Sequence, residues 1–162
     1  MKIRRATSED AAEACAVVRR SITELCHSDH GGDDESLSKW LSNKTIENVR
    51  KWILGSHFFV AEEAGQIVGV AAMTDSGKIS LNYVDPAVRF RGISKALLFS
   101  IEEHAKTLGI TECFLESTQT ALRFYLASGY AQKEQSHRLP PASSPATVLS
   151  KRLRASEESN RD

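Results

Sequence analysis

The spacing of apolar residues follows a helical period, then a strand period, then alternates between the two, and these periods set the expected elements. A short strand at 2–5 gives way to Thr7-Ser8-Glu9-Asp10, a capping box in which Thr7 and Asp10 satisfy free helix amides. Cys15, Val18, Ile22 and Leu25 then recur at three- and four-residue steps, which predicts an amphipathic helix. That helix stops before the polar stretch 27–34, where Gly31 and Gly32 are expected to break any helix. Two shorter helical patterns follow. One carries Leu37, Trp40 and Leu41; the other starts at Thr45, carries Ile46, Val49 and Ile53, and stops at Gly55.

Three runs rich in β-formers come next, at 57–62, 67–73 and 79–84, separated by turns at 63–66 and 75–78. They read as an antiparallel meander that Asp85-Pro86 ends, since proline cannot donate to a ladder. Leu97, Leu98, Ile101, Ala105 and Leu108 form one face of a long helix, closed by Gly109 as a C-cap. A strand at 112–116, a short helix at 119–127 stopped by Gly129, a strand at 130–134, a proline-rich loop at 140–145 and a strand at 146–153 complete the pattern. A helix between consecutive strands implies a crossover, so the expected fold is α/β, with a mixed sheet and a parallel pair near its middle. No repeat or second block of composition divides the chain. One domain over 1–154 and a frayed polar tail over 155–162 are expected.

Composition narrows the function more than the fold. The chain has 162 residues, 41% hydrophobic and 26% charged, the balance of a soluble globular protein. Lys plus Arg equals Asp plus Glu, at 21 each, which leaves no basic field for a nucleic-acid backbone or an anionic membrane. No apolar run is long enough to span a bilayer, and the polar start is no signal peptide. Cys15, Cys26 and Cys113 are odd in number and form no CxxC pair, so free thiols in a reducing cytoplasm are expected. His27 and His30 lie three apart near carboxylates, but in a glycine-rich loop without a fixed helical face; no metal site is expected there.

The most informative stretch is 83–98, where a strand ends, a short loop follows, and a turn of small residues opens the long helix. The first turn of such a helix has amides without intrahelical partners and partial positive charge, a setting that accepts a phosphate or pyrophosphate. Gly92 lets a ligand approach the backbone, and Arg89, Arg91 and Lys95 add charge. Neither GxxxxGK[ST] nor GxGxxG is present. By local physics alone a plain strand-to-helix connection with solvated basic residues is the favoured reading, since such connections abound.

Val84-Asp85-Pro86 followed by Arg89-Phe90-Arg91-Gly92-Ile93-Ser94 resembles motif A of the GNAT superfamily of N-acetyltransferases. The segment 117–130, with Ala121, Phe124-Tyr125 and Gly129-Tyr130, resembles the family's motif B. The resemblance implies a mixed, mostly antiparallel sheet of about seven strands with a central splayed parallel pair, flanked by about four to five helices. It implies acetyl-CoA as co-substrate, no metal, and a small-molecule or peptide amine as acceptor. Neither nucleic acid nor membrane is implied, and a homodimer is compatible with it. The backbone near Tyr83 and Val84 would hold the pantetheine arm and the thioester carbonyl. Amides from Phe90 to Lys95 would hold the pyrophosphate, and Tyr125 would protonate the leaving thiolate.

Three positions depart from the pattern: Ser94 replaces a glycine or alanine, Phe90 a frequent glycine, and Thr118 an asparagine that often contacts the cofactor. Lys78 stands where some relatives place a glutamate base, so no general base is assigned. Ser80, Asn82 and Val84 alternate onto one face; Asn82 is placed on the acceptor side. The acceptor is expected to enter opposite CoA near 27–35, whose carboxylates Asp29, Asp33, Asp34 and Glu35 either attract an amine or form a solvated acidic loop. The expected activity is acetyl transfer to a primary amine by direct attack in a ternary complex, with a non-catalytic acyl-CoA-binding module as the alternative.

Overall fold

The computed structural model describes residues 1–132 and 147–155. Strand β1 (Lys2–Arg5) leads into a 3-10 turn at Ser8–Asp10 and helix α1 (Ala11–Leu25). The capping box forms: the Thr7 N–H donates to Asp10 Oδ2 at 2.7 Å. Arg4 grips the same carboxylate with bonds of 2.8 and 2.9 Å and reaches Glu62 at 2.7 Å, tying the start of α1 to the neighbouring strand. The Arg4 guanidinium, followed by the Thr7 amide, holds the Asp10 carboxyl below its ordinary pKa against the opposing cost of burial.

The stretch after α1 differs from expectation. His27–His30 forms a one-turn helix, α2, before Gly31 and Gly32 adopt φ of +66° and +70°. The glycines end that turn instead of preventing it, because tertiary hydrogen bonds described below hold it in place. Asp33 then caps α3 (Asp34–Leu41) by accepting from the Ser36 amide at 3.1 Å. Thr45 caps α4 (Ile46–Gly55) in the same way through Asn48 at 3.1 Å.

Strands β2 (His57–Glu63), β3 (Gln66–Met73) and β4 (Ile79–Val84) join β1 in an antiparallel sheet of order β1-β2-β3-β4. Its central strands are covered on both faces, which explains their continuous apolar runs. Phe58, Val60, Val70 and Ala72 pack with α1 and α4, while Phe59, Ala61, Ala71 and Met73 pack with α5 (Ile93–Thr107). At Gly69 an added Cβ would lie 2.9 Å from Ile93 Cγ2 and Leu97 Cδ1, so glycine there sets how closely α5 approaches β3. Helix α5 ends as expected at Gly109. The Gly109 amide donates to Lys106 O and the Ile110 amide to Ala105 O, both at 3.0 Å, completing a Schellman motif.

Strand β5 (Glu112–Ser117), helix α6 (Leu122–Ala127), β6 (Ala131–Gln132) and β7 (Thr147–Arg152) follow, with a second antiparallel sheet of order β5-β7-β6. Helix α6 begins three residues later than expected because Thr118 to Ala121 form a turn. The expected loop at 140–145, the last two residues of the strand at 130–134 and the tail beyond 155 lie outside the described residues.

Two corrections concern the sheet and the helices. The described strands form two antiparallel sheets instead of one mixed sheet. They meet at a single parallel bridge, Lys78 to Phe114, where the Phe114 amide donates to Gly77 O at 3.1 Å. Each strand at this junction is fully laddered on its other side, and a bulge at Ser80, where Met73 opposes Ile79 but Ala72 opposes Leu81, turns β4 away from β5. The described residues hold six α-helices, the unexpected one being α2. None of the described helices is long and apolar enough to cross a membrane.

Candidate functional site

Where β4 and β5 part, a cleft of about 520 Å³ opens between the end of α1, strand β4, the start of α5 and the segment entering α6. Its outer end is built by backbone. Gly92 sits at φ +78° with open space where a Cβ would project, and offers no side chain to cap α5. The first helical bond belongs to the Ala96 amide, which donates to Gly92 O at 3.0 Å. The amides of Ile93, Ser94 and Lys95 therefore precede the ladder and face the cleft mouth. Phe90 also takes a left-handed conformation, φ +64°, which explains why glycine suits that position. Its ring is 88% exposed and lies beneath the Arg89 guanidinium, 4.1 Å from the ring centre.

Arg89, Phe90, Gly92, Ile93, Ser94 and Lys95 all line this end of the cleft. Arg91 does not: its guanidinium pairs with Glu63 on β2 at 2.5 Å, so its charge is turned to the neighbouring strand. Along the floor, Tyr83 and Val84 line the cleft as expected. The Asp85 amide donates to Val68 O at 2.8 Å, so by the alternation of an antiparallel ladder the Val84 N–H and C=O point away from β3, toward the cleft. Tyr83 sends its ring to the opposite face, among Leu81 and Trp40; burial pushes its hydroxyl well above the usual tyrosine range.

The inner end is built by side chains. Tyr125 is 6% exposed and makes edge contacts with Phe124 at 5.1 Å and Tyr130 at 5.6 Å. A second Schellman motif fixes it: the Tyr130 amide donates to Tyr125 O at 3.0 Å and the Gly129 amide to Leu126 O at 3.2 Å. Burial pushes the Tyr125 hydroxyl up to about 12, and a hydrogen bond from the Asn82 side chain offsets part of that rise. Thr118 lines the cleft too, but its hydroxyl accepts from the Ala121 amide at 3.2 Å and so shapes the turn into α6.

The 27–35 segment holds this inner end together. Asp29 accepts from the Gln119 amide at 2.6 Å, the Thr120 amide at 3.2 Å and the Thr120 hydroxyl at 2.6 Å. His30 is buried, its Nε2 3.1 Å from Ile22 O while its Nδ1 accepts from the Gly32 amide at 3.1 Å. The carboxylates of Asp29 and Asp33 are thus engaged in clamping and capping, whereas Asp34 and Glu35 form the exposed first turn of α3. Among the described residues no group of three or more His, Cys, Asp or Glu side chains is placed to hold a metal.

Sequence reasoning missed Cys26 and Thr120 as cleft residues. Burial, with the Asp29 charge adding to it, raises the Cys26 thiol to about 12, which keeps it protonated. Cys26 belongs to neither motif, and Thr120, though inside the 117–130 segment, is held by Asp29 of α2, so the fold of α2 over the β5–α6 turn brings both to the site.

A family model described as Acetyltransferase (GNAT) domain matches residues 26–138. Among solved structures, a GCN5-related N-acetyltransferase from Rhodopseudomonas palustris superposes with a TM-score of 0.82 at 23% identity, over 94% of this chain and 95% of that one. The PaiA N-acetyltransferase from Thermoplasma acidophilum, solved in complex with coenzyme A, gives a TM-score of 0.78 at 19% identity, over 93% of this chain and 98% of that one. YncA from Salmonella typhimurium, solved with its cofactor acetyl-CoA, gives 0.63 at 20% identity, over 100% and 98%. At these identities the superpositions speak for the fold. No curated protein matches the chain in sequence.

Proposed function

The chain belongs to the GNAT family of acetyltransferases, and on that premise we propose that it moves the acetyl group of acetyl-CoA to a primary amine by direct attack in a ternary complex. The observation that carries this reading is one continuous cleft with free helix amides at its mouth and a buried, protonated tyrosine at its inner end. The residues fit such a co-substrate. Amides of Ile93 to Lys95 would hold the pyrophosphate, and Lys95 and Arg89 would add charge beside them. The Val84 N–H and C=O would pair with the pantetheine arm. Acetyl-CoA supplies an activated acyl group; the chain's own work is to align two substrates and to give the departing thiolate a proton from Tyr125. Residues Ile93, Val88 and Phe124 make the walls of the cleft largely apolar, which favours an enclosed thioester.

Lys78, which forms the parallel bridge with Phe114, supplies no carboxylate base and favours a second reading, an acyl-CoA-binding module without turnover. Calorimetry with acetyl-CoA, followed by turnover against a panel of primary amines, separates the two. Binding with transfer supports the enzyme, binding with no transfer supports the module, and no binding overturns both.

A further inference from the structure

The cleft does not end at Tyr125. A smaller cavity of about 60 Å³ continues into the wedge between β4 and β5, on the cleft side of the Lys78–Phe114 bridge. Asn82, Tyr83, Thr118, Ala121 and Tyr125 line both spaces and so form the neck between them. At that neck lies Asn82 Oδ1, the one buried side-chain nitrogen or oxygen among the described residues that has no hydrogen-bond partner. Proteins seldom leave a buried acceptor unmet, and one that persists beside a cavity marks where a ligand supplies the donor. A carboxamide oxygen only accepts, so that ligand must bring an N–H or O–H. The thioester end of acetyl-CoA has neither. An attacking amine has both its N–H bonds.

The other half of the carboxamide meets the Tyr125 hydroxyl. An amide N–H donating to that oxygen leaves the phenolic proton free to point elsewhere, toward a departing sulfur. At the outer rim of the wedge stands Glu116, exposed on β5 and, among the described residues, without an ion-pair partner.

We propose that Asn82 is a positioning residue for the acceptor, its Oδ1 accepting from the N–H of a primary amine that enters through the β4–β5 wedge, with Glu116 favouring amines that carry a second positive charge. This places the acceptor's path in the wedge instead of along the 27–35 segment, and it rests on the amine-transfer reading above. The neutral amine's lone pair forms the N–C bond at the thioester carbonyl carbon, and the C–S bond breaks with its electron pair on sulfur. Sulfur takes the Tyr125 proton; the surplus proton on nitrogen leaves to solvent, and solvent returns one to Tyr125.

The test uses the full chain loaded with CoA, titrated calorimetrically with diaminobutane or butylamine, beside acetyl-transfer kinetics on the same amines. Asn82→Ala is expected to weaken diaminobutane about tenfold in Kd and KM while CoA affinity stays within about twofold. Asn82→Asp, which keeps an acceptor oxygen, recovers most of that loss and guards against a misfolded alanine variant. Glu116→Gln is expected to weaken diaminobutane about threefold and leave butylamine unchanged, a split that lost packing would not produce. An Asn82→Ala variant with unaltered amine Kd and KM overturns the assignment, since water then satisfies the oxygen. Equal affinity for the two amines in wild type overturns the role of Glu116. If the Asn82 effect appears in binding but no amine is acetylated, the amine site stands and the transfer reading falls.

Discussion

The mouth of the cleft and its neck are built from different materials. At the mouth, a left-handed glycine and three unladdered amides form the surface; Ile93 is buried, while Phe90 is almost fully exposed. At the neck, Tyr125, Asn82 and Thr118 are packed between two sheets, and a clamp from Asp29 on a distant helix closes the turn beneath them. The first arrangement depends on backbone conformation and tolerates most side-chain changes. The second depends on individual atoms. Binding of the donor and the chemistry on it should therefore fail separately.

The sharpest way to break the comparison is Tyr125→Phe. The ring and its edge contacts survive while the proton donor is lost, so kcat is expected to fall about a hundredfold with acetyl-CoA affinity unchanged, read by single-turnover kinetics and calorimetry. The same hydroxyl also links to pH. Its folded-state value of about 12 lies above the ordinary 10.0, so the neutral phenol's contribution to stability is complete below pH 10 and is lost as pH rises through about 12. Alkaline unfolding of Tyr125→Phe should accordingly be less steep than that of wild type in that window, as followed by circular dichroism.

Gly92→Asp acts at the mouth. A side chain at φ +78° is strained, and a carboxylate there opposes an anion at the α5 amides. Acetyl-CoA affinity is expected to drop at least about tenfold, with single-turnover rates at saturation close to wild type. A variant that binds as tightly as wild type by calorimetry would place the pyrophosphate elsewhere.

Asp29→Ala removes three acceptor contacts from the β5–α6 turn. A stability loss of about 1–2 kcal/mol in urea is expected, together with a kcat decrease larger than any change in donor affinity. An equal fall in donor affinity would show that the clamp serves the mouth as well. The smallest effect belongs to Arg91→Ala. Its guanidinium is paired with Glu63 and half exposed, so CoA affinity should change less than about twofold and stability by less than about 1 kcal/mol.

Local pattern was enough to locate the mouth. Pro86 stops a strand, Gly92 opens a helix, and the apolar face from Leu97 to Ala105 gives that helix its direction, all within one stretch of chain. The periodicity of α1, the caps at Thr45 and Gly109 and the meander from β2 to β4 were legible for the same reason: each is decided by neighbours a few residues apart. The turn of α2 was not legible, because two glycines argue against it locally and its support comes from amides about ninety residues further on. Arg91 misled in the opposite sense. Its place in the motif suggests charge toward the cleft, but Glu63, far away in sequence, turns it to the sheet.

What the sequence by itself determined is the order of the main helices and strands and the helix start at the mouth of the cleft, since periodicity, capping and turn chemistry act within a few residues of chain. What only the tertiary structure decided is the wedge: one parallel bridge in place of a ladder, a bulge at Ser80 that turns β4 aside, and the buried, unpartnered oxygen of Asn82 between two cavities. Strand pairing across a sheet junction and the burial of a single atom are set by the sum of long-range packing, and no local pattern encodes that sum.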